Sequence, residues 1–227
     1  MNKGLFASQI NESGKILDNL KLIRERNIHP KYASYAASFF RTKSYSETWQ
    51  FCYDHHLYDF SLTDDALIQF RPQNFSPLEV SYVYLECPFK KIVTYEEFIE
   101  AQAAISEEKD EFEILRDYDF YISSSQQKKE NITPIRYDYS PQLYVEARHP
   151  ASHFHFGYNN EMRISTKKVL RPLSFTLFIL RQRYTDMWID LVETKEAEIL
   201  CRNIRENLDE IQPVYWNTKD ELEMILI

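Results

Sequence analysis

A chain of 227 residues, 44% hydrophobic and 15% aromatic, can bury a sizeable core, and its 16 Tyr and 15 Phe predict a sheet beside helices. A formal net charge of −8 argues against whole-molecule attraction to nucleic acid or an anionic membrane. The only glycines, Gly4, Gly14 and Gly157, cannot assemble a P-loop or a dinucleotide-binding fingerprint, so glycine-cradled nucleotide sites are excluded.

The opening MNKGLFASQINESGK lacks a signal-peptide apolar core, and no run approaches the roughly 20 apolar residues of a membrane span. Cys52, Cys87 and Cys201 form no C-x-x-C pair and suit reduced thiols. A cytoplasmic protein with no membrane partner is expected. Phe6, Ile10, Ile16, Leu17, Leu20 and Ile23 predict an amphipathic helix, interrupted near Gly14 and closed by Pro30. Residues 32–40 (YASYAASFF) and 46–58 read as further helices, the latter capped by Ser46, which makes residues 1–60 helical.

Residues 61–166 read as sheet-rich. Segments 66–71 (ALIQFR) and 80–87 (VSYVYLEC) are aromatic or β-branched, with turn-rich RPQNFSPLE between them. Thr94 opens a helix to about residue 109, whereas 112–122 reads as extended and 123–131 (SSSQQKKEN) as a loop. Strands are predicted at 135–139, 143–148 and 152–156, with another at 161–165 after a GYNN turn. Residues 167–227 read as helical, with one long helix at 173–192 capped by Ser174 and another at 196–211. The connections are too short for repeated crossovers. The fold expected is therefore α+β, a single domain over 1–227 with a mainly antiparallel sheet packed by N-terminal and C-terminal helices.

The run HPASHFHFG (149–157) holds three of the six histidines. Alternate strand residues share a face, so His153 and His155 point one way and Phe154 and Phe156 the other. The phenyl face should meet helices and the imidazole face should line water or a cleft. Pro150 holds His149 extended, and Gly157 ends the strand where a side chain would hinder a turn. Between residues 160 and 184 six basic residues face one acid, which is either a solvated face or an anion site.

Three roles stay open for the imidazoles. They satisfy local polar groups on a half-exposed sheet, they move protons on an anionic substrate, or they bind a metal ion. In the metal version His153 and His155 need a further ligand, and Glu146, Asp138 or His149 could supply it. Asp138 with Glu146-Ala147-Arg148 also looks like the paired-carboxylate pattern of restriction-endonuclease-like nucleases, with arginine in the lysine place. Adjacent His55 and His56 diverge on a helix, one expected packed and one exposed. Asp64 and Asp65 read as a turn, and Phe175 and Trp188 as core.

Taken together, IRYDYSP (135–141), HPASHFHFG, MRIS and RPLSFTLFILRQRY resemble a bacterial family known as domain of unknown function 2290. Upstream, SLTDDALIQF, YLECPF and YEEF resemble it too, so the likeness spans about residues 10 to 195. Arg136, Asp138, His149, Ser152, His153, Gly157 and Arg163 match its pattern, and His155 lies outside it.

The resemblance implies a component of a toxin or anti-phage defence system and carries no cofactor with it. The activity expected is cleavage of RNA or another phosphodiester. His153 would be the main acid–base residue, assisted by His149 or His155, with Asp138 orienting an imidazole. Arg136, Arg148, Arg163 and Ser152 would bind the substrate. The rivals are a non-catalytic subunit that binds another protein of the same operon, and a metal-dependent nuclease.

Overall fold

We obtained a computed structural model that describes residues 1–27, 42–90, 95–103, 111–124, 128–158 and 162–222. The helix expected at 32–40 and the last two residues of the GYNN turn lie outside these residues. The chain forms two compact units: Met1–Glu86 with Thr133–Ile227, and Cys87–Ile132.

The first unit begins with α1 (Lys3–Asn19), capped by Asn2, whose side chain accepts from the Leu5 amide. The helix runs unbroken through Gly14, where a Cβ would come within 2.9 Å of the Arg26 guanidinium. It ends at Leu20, and the chain turns into a strand that sequence reading had absorbed into the helix, β1 (Ile23–Arg26).

Next comes α2 (Tyr45–Asp54), capped by Ser44 rather than Ser46, because Ser44 forms a reciprocal capping box with Glu47. Both His55 and His56, at its end, are exposed, His55 stacked on Phe51 and His56 with positive φ. Strands β2 (Phe60–Leu62), β3 (Leu67–Phe75) and β4 (Leu78–Leu85) follow. The 71–79 segment is strand nearly throughout, with a register irregularity at Pro72 and a tight reversal at Ser76-Pro77.

The second unit carries α3 (Tyr95–Ala103) and α4 (Glu111–Ser124). Residues 112–122, expected extended, are helical. Tyr118 and Tyr121 lie three apart on one face and both meet Phe98, with ring centroids 5.3 and 5.5 Å away. The aromatic spacing is thus helical.

Back in the first unit, β5 (Ile135–Tyr139) and β6 (Ser152–Phe156) occupy the predicted spans, and β7 (Arg163–Ser165) follows. The strand expected at 143–148 is a 3-10 turn at Pro141–Leu143 and a reversal at Ala147, whose φ is +56°. Strands β1 to β7 make one antiparallel sheet in chain order.

The predicted long helix is two, α5 (Pro172–Arg183) and α6 (Thr185–Val192), with α7 (Lys195–Glu206) after them. Tyr184 breaks the run at φ −130°, ψ 56°, its hydroxyl 3.0 Å from the Asp64 carboxylate. Ser174 caps α5 from its third residue, accepting from the Arg171 amide. Strand β8 (Lys168–Val169) pairs with β9 (Asp209–Glu210) as a separate ribbon.

The antiparallel α+β class is as expected, and period two divides the sheet sharply. One face carries an aromatic row, Phe70, Tyr82, Tyr137 and Phe154, with successive centroids 5.4, 5.6 and 5.3 Å apart. Phe175 and Phe178 of α5 cover this row, and α1 joins the same core. Each such buried ring contributes about 1.5–3 kcal/mol. The other face is polar. No helix among the described residues is long and apolar enough to cross a membrane.

Candidate functional site

Register alone builds the polar face into two lines across the strands. One runs Arg71, Ser81, Asp138, His153, Ser165; the other runs Gln69, Val83, Arg136, His155, Arg163. Directly opposed residues on one face come within about 5 Å of each other, so the lines bring together groups far apart in sequence. A cavity of about 700 Å³ lies over this face, with Thr48 and Cys52 of α2 in its lining.

At its wall His153 Nε2 and His155 Nε2 are 2.9 Å apart. His155 Nε2 is 3.4 Å from Asp138 Oδ2, and Arg136 Nε is 2.8 Å from the same oxygen. The His149 ring stands perpendicular to His153 with centroids 5.0 Å apart. His149 is placed by the Ala147 reversal, where its amide donates to the Val145 carbonyl at 2.8 Å. His153 and His155 are each 1% exposed, yet their Nδ1 atoms, like that of His149, have no hydrogen-bond partner among the described residues.

Electrostatics follow from this packing. Burial, then the neighbouring His155, pushes the His153 imidazole down to about 4, so it is neutral at physiological pH. Burial also lowers His149, with Arg163 and His155 adding to the effect. Burial alone would raise the Asp138 carboxyl. Hydrogen bonding from His155 and Ser81 and the charge of Arg136 outweigh it and hold Asp138 at about 2. Asp138 is therefore a carboxylate beside two imidazoles, one of them with a firmly available lone pair. Cys52 also lines the cavity, but burial raises its thiol, which keeps it from acting as a thiolate.

The structure brings His149, His153, His155, Asp138, Arg136 and Arg163 to this cavity. Three expected members are elsewhere. Ser152 belongs to the opposite face by strand alternation, where its hydroxyl meets Tyr137 Oη at 2.9 Å and donates to the Lys168 carbonyl. Glu146 and Arg148 sit exposed in the reversal, with Glu146 3.6 Å from Lys219. The paired carboxylates of a restriction-endonuclease-like site are thus not assembled, and Asp138, not Glu146, joins the two histidines.

The basic stretch is largely spent on acids: Lys167 on Glu221, Lys168 on Glu210, Arg171 on Asp209 and Arg183 on Glu86. Arg163 alone of that stretch reaches the cavity. Sequence reading missed Gln69, Arg71 and Ser81. Their signal was the polar phase of β3 and β4, which becomes informative only when β4 is paired with β5.

A family model described as uncharacterized conserved protein (DUF2290) matches residues 16–218. No curated protein and no solved structure matches the chain.

Proposed function

We propose, for a chain that belongs to the DUF2290 family, a role in a bacterial toxin or anti-phage defence system as an enzyme that hydrolyses RNA or another phosphodiester in the cavity over the polar sheet face. The observation that carries this reading is the convergence of Asp138, His153 and His155 beside Arg71, Arg136 and Arg163 in one cavity. A purely structural imidazole pair would be expected to have its buried nitrogens hydrogen-bonded. Here two fully buried rings keep unpaired Nδ1 atoms, which cost stability and point to a task.

Arginines give planar, fork-like contacts to phosphate oxygens. Arg163 is exposed at the cavity and has no ion pair among the described residues, so its charge is available for a substrate. With Arg71, Arg136 and Arg163 against Asp138, the cavity is locally cationic although the whole chain carries a net −8. The imidazole–carboxylate cluster then handles the proton of the attacking water.

The test is cleavage of labelled RNA and DNA by the pure protein. His153→Ala should lower the rate about 100-fold or more. Arg163→Ala, at an exposed position, should raise KM about tenfold with an unchanged melting temperature. Full activity in a folded His153→Ala protein would sink the assignment. Failure to cleave any phosphodiester, alone or with its operon partner, would return the histidines to a non-catalytic subunit.

A further inference from the structure

We infer that Asp138, His153 and His155 hold a divalent transition-metal ion, zinc being the type case, at the wall of the cavity. The inference rests on the reading above, since the ion would supply the means of activating water for phosphodiester hydrolysis.

Distances come first. One donor atom from each of the three residues lies within 4.8 Å of the others. A metal ion bonded at about 2.1 Å to imidazole nitrogen and carboxylate oxygen separates neighbouring donors by about 3.0 Å in octahedral geometry and about 3.4 Å in tetrahedral geometry. Two edges of the cluster, Nε2 to Nε2 at 2.9 Å and Nε2 to Oδ2 at 3.4 Å, match those values, and the third, between His153 and Asp138, is longer but within 4.8 Å. Two of the three edges already have the length that a coordination sphere requires, and the ion would draw Asp138 and His153 together.

Protonation is the second point. A 2.9 Å contact between two imidazole nitrogens needs a proton or a cation between the lone pairs. If a proton lies there, one ring must bury an unpaired Nδ1 acceptor and the other an unpaired Nδ1 donor. With a cation, both Nε2 lone pairs are used at once and both rings adopt the same tautomer, each carrying its proton on Nδ1.

Ligand chemistry sets the class of ion. Two imidazoles with one carboxylate suit zinc, iron, cobalt, nickel or manganese, whereas magnesium and calcium prefer all-oxygen shells. Three protein ligands leave open positions for water and a phosphate oxygen. Lowering the pKa of bound water makes a hydroxide available near neutral pH. Its oxygen bonds to phosphorus, the bond from phosphorus to the leaving oxygen breaks, and the water proton ends on that leaving oxygen. His149, close to His153 but outside the three-residue cluster, is placed to carry that proton.

The test uses full-length protein stripped by chelator and titrated, without substrate, with cobalt(II) by absorbance and zinc(II) by calorimetry. One equivalent of each should bind, with visible cobalt bands that zinc abolishes and a raised melting temperature. Asp138→Asn keeps the side-chain shape and should weaken binding about tenfold or more. His155→Gln should act likewise, and circular dichroism checks that each variant is folded. Absence of stoichiometric binding by folded wild-type protein overturns the inference, as does undiminished affinity in folded Asp138→Asn. The two proposals fail separately. Cleavage that persists in chelator without metal binding removes the ion and keeps the hydrolase. Tight binding with no cleavage of any phosphodiester does the reverse.

Discussion

Asp220 carries no signal of its own in the sequence. In the structure it is 4% exposed and accepts from Tyr144 Oη at 2.6 Å, the Ala147 amide at 2.9 Å and the Asn217 amide at 2.9 Å. Burial alone would raise its carboxyl, but these donors hold it below the ordinary 3.8. A depressed folded-state value means its contribution is complete above about pH 4 and is lost as pH falls through that lower value. Asp220→Ala should cost about 2 kcal/mol or more and flatten that acid limb in urea melts taken from pH 5 downward. Since Asp220 pins the reversal that places His149, the variant should also disturb the cavity. A residue of this kind is invisible in one dimension, because two of its three partners lie about seventy positions upstream. The hairpin histidines were legible for the opposite reason: strand alternation fixes their face locally.

Among elements, those with an unambiguous period were read correctly and those that depend on distant partners were not. Strands β5 and β6 alternate cleanly and were placed to the residue. Helix α4 was read as extended over 112–122, and the 143–148 segment as strand although Pro141 and the Ala147 reversal bend it away. Tyr184 could not be seen as a break without Asp64. The division of the sheet into an aromatic face and a polar face makes two predictions. Phe175→Ala, at a fully buried ring on α5, should cost about 3–5 kcal/mol and leave metal affinity intact in the folded fraction. Tyr137→Phe keeps the ring but removes a hydroxyl that accepts from the Leu170 amide and pairs with Ser152. It should cost about 1–3 kcal/mol, measured as a shift in the urea midpoint.

At the scale of the molecule, the α+β order and the family were legible, and the family match covers residues 16–218. Of the helical unit Cys87–Ile132, the helix opening at Thr94 was legible and α4 was not. Tyr84 and Ile135 are paired partners in β4 and β5, so the ends left by removing that unit are already neighbours. Replacing residues 87–132 with a short Asn-Gly linker should leave a cooperatively melting protein that still binds one cobalt ion. An unfolded product would show that the sheet depends on the deleted unit.

Arg136, Asp138, His149, His153, His155 and Arg163 all come from the hairpin run β5–β6–β7, whose strands pair with immediate neighbours. Closing so short a stretch costs little chain entropy, and contacts of this range form fast. During synthesis this run emerges from the ribosome before α5, α6 and α7 do. The candidate site can therefore be gathered early, on a ribbon still open to solvent and to ions, before the C-terminal helices seal the core on its other side.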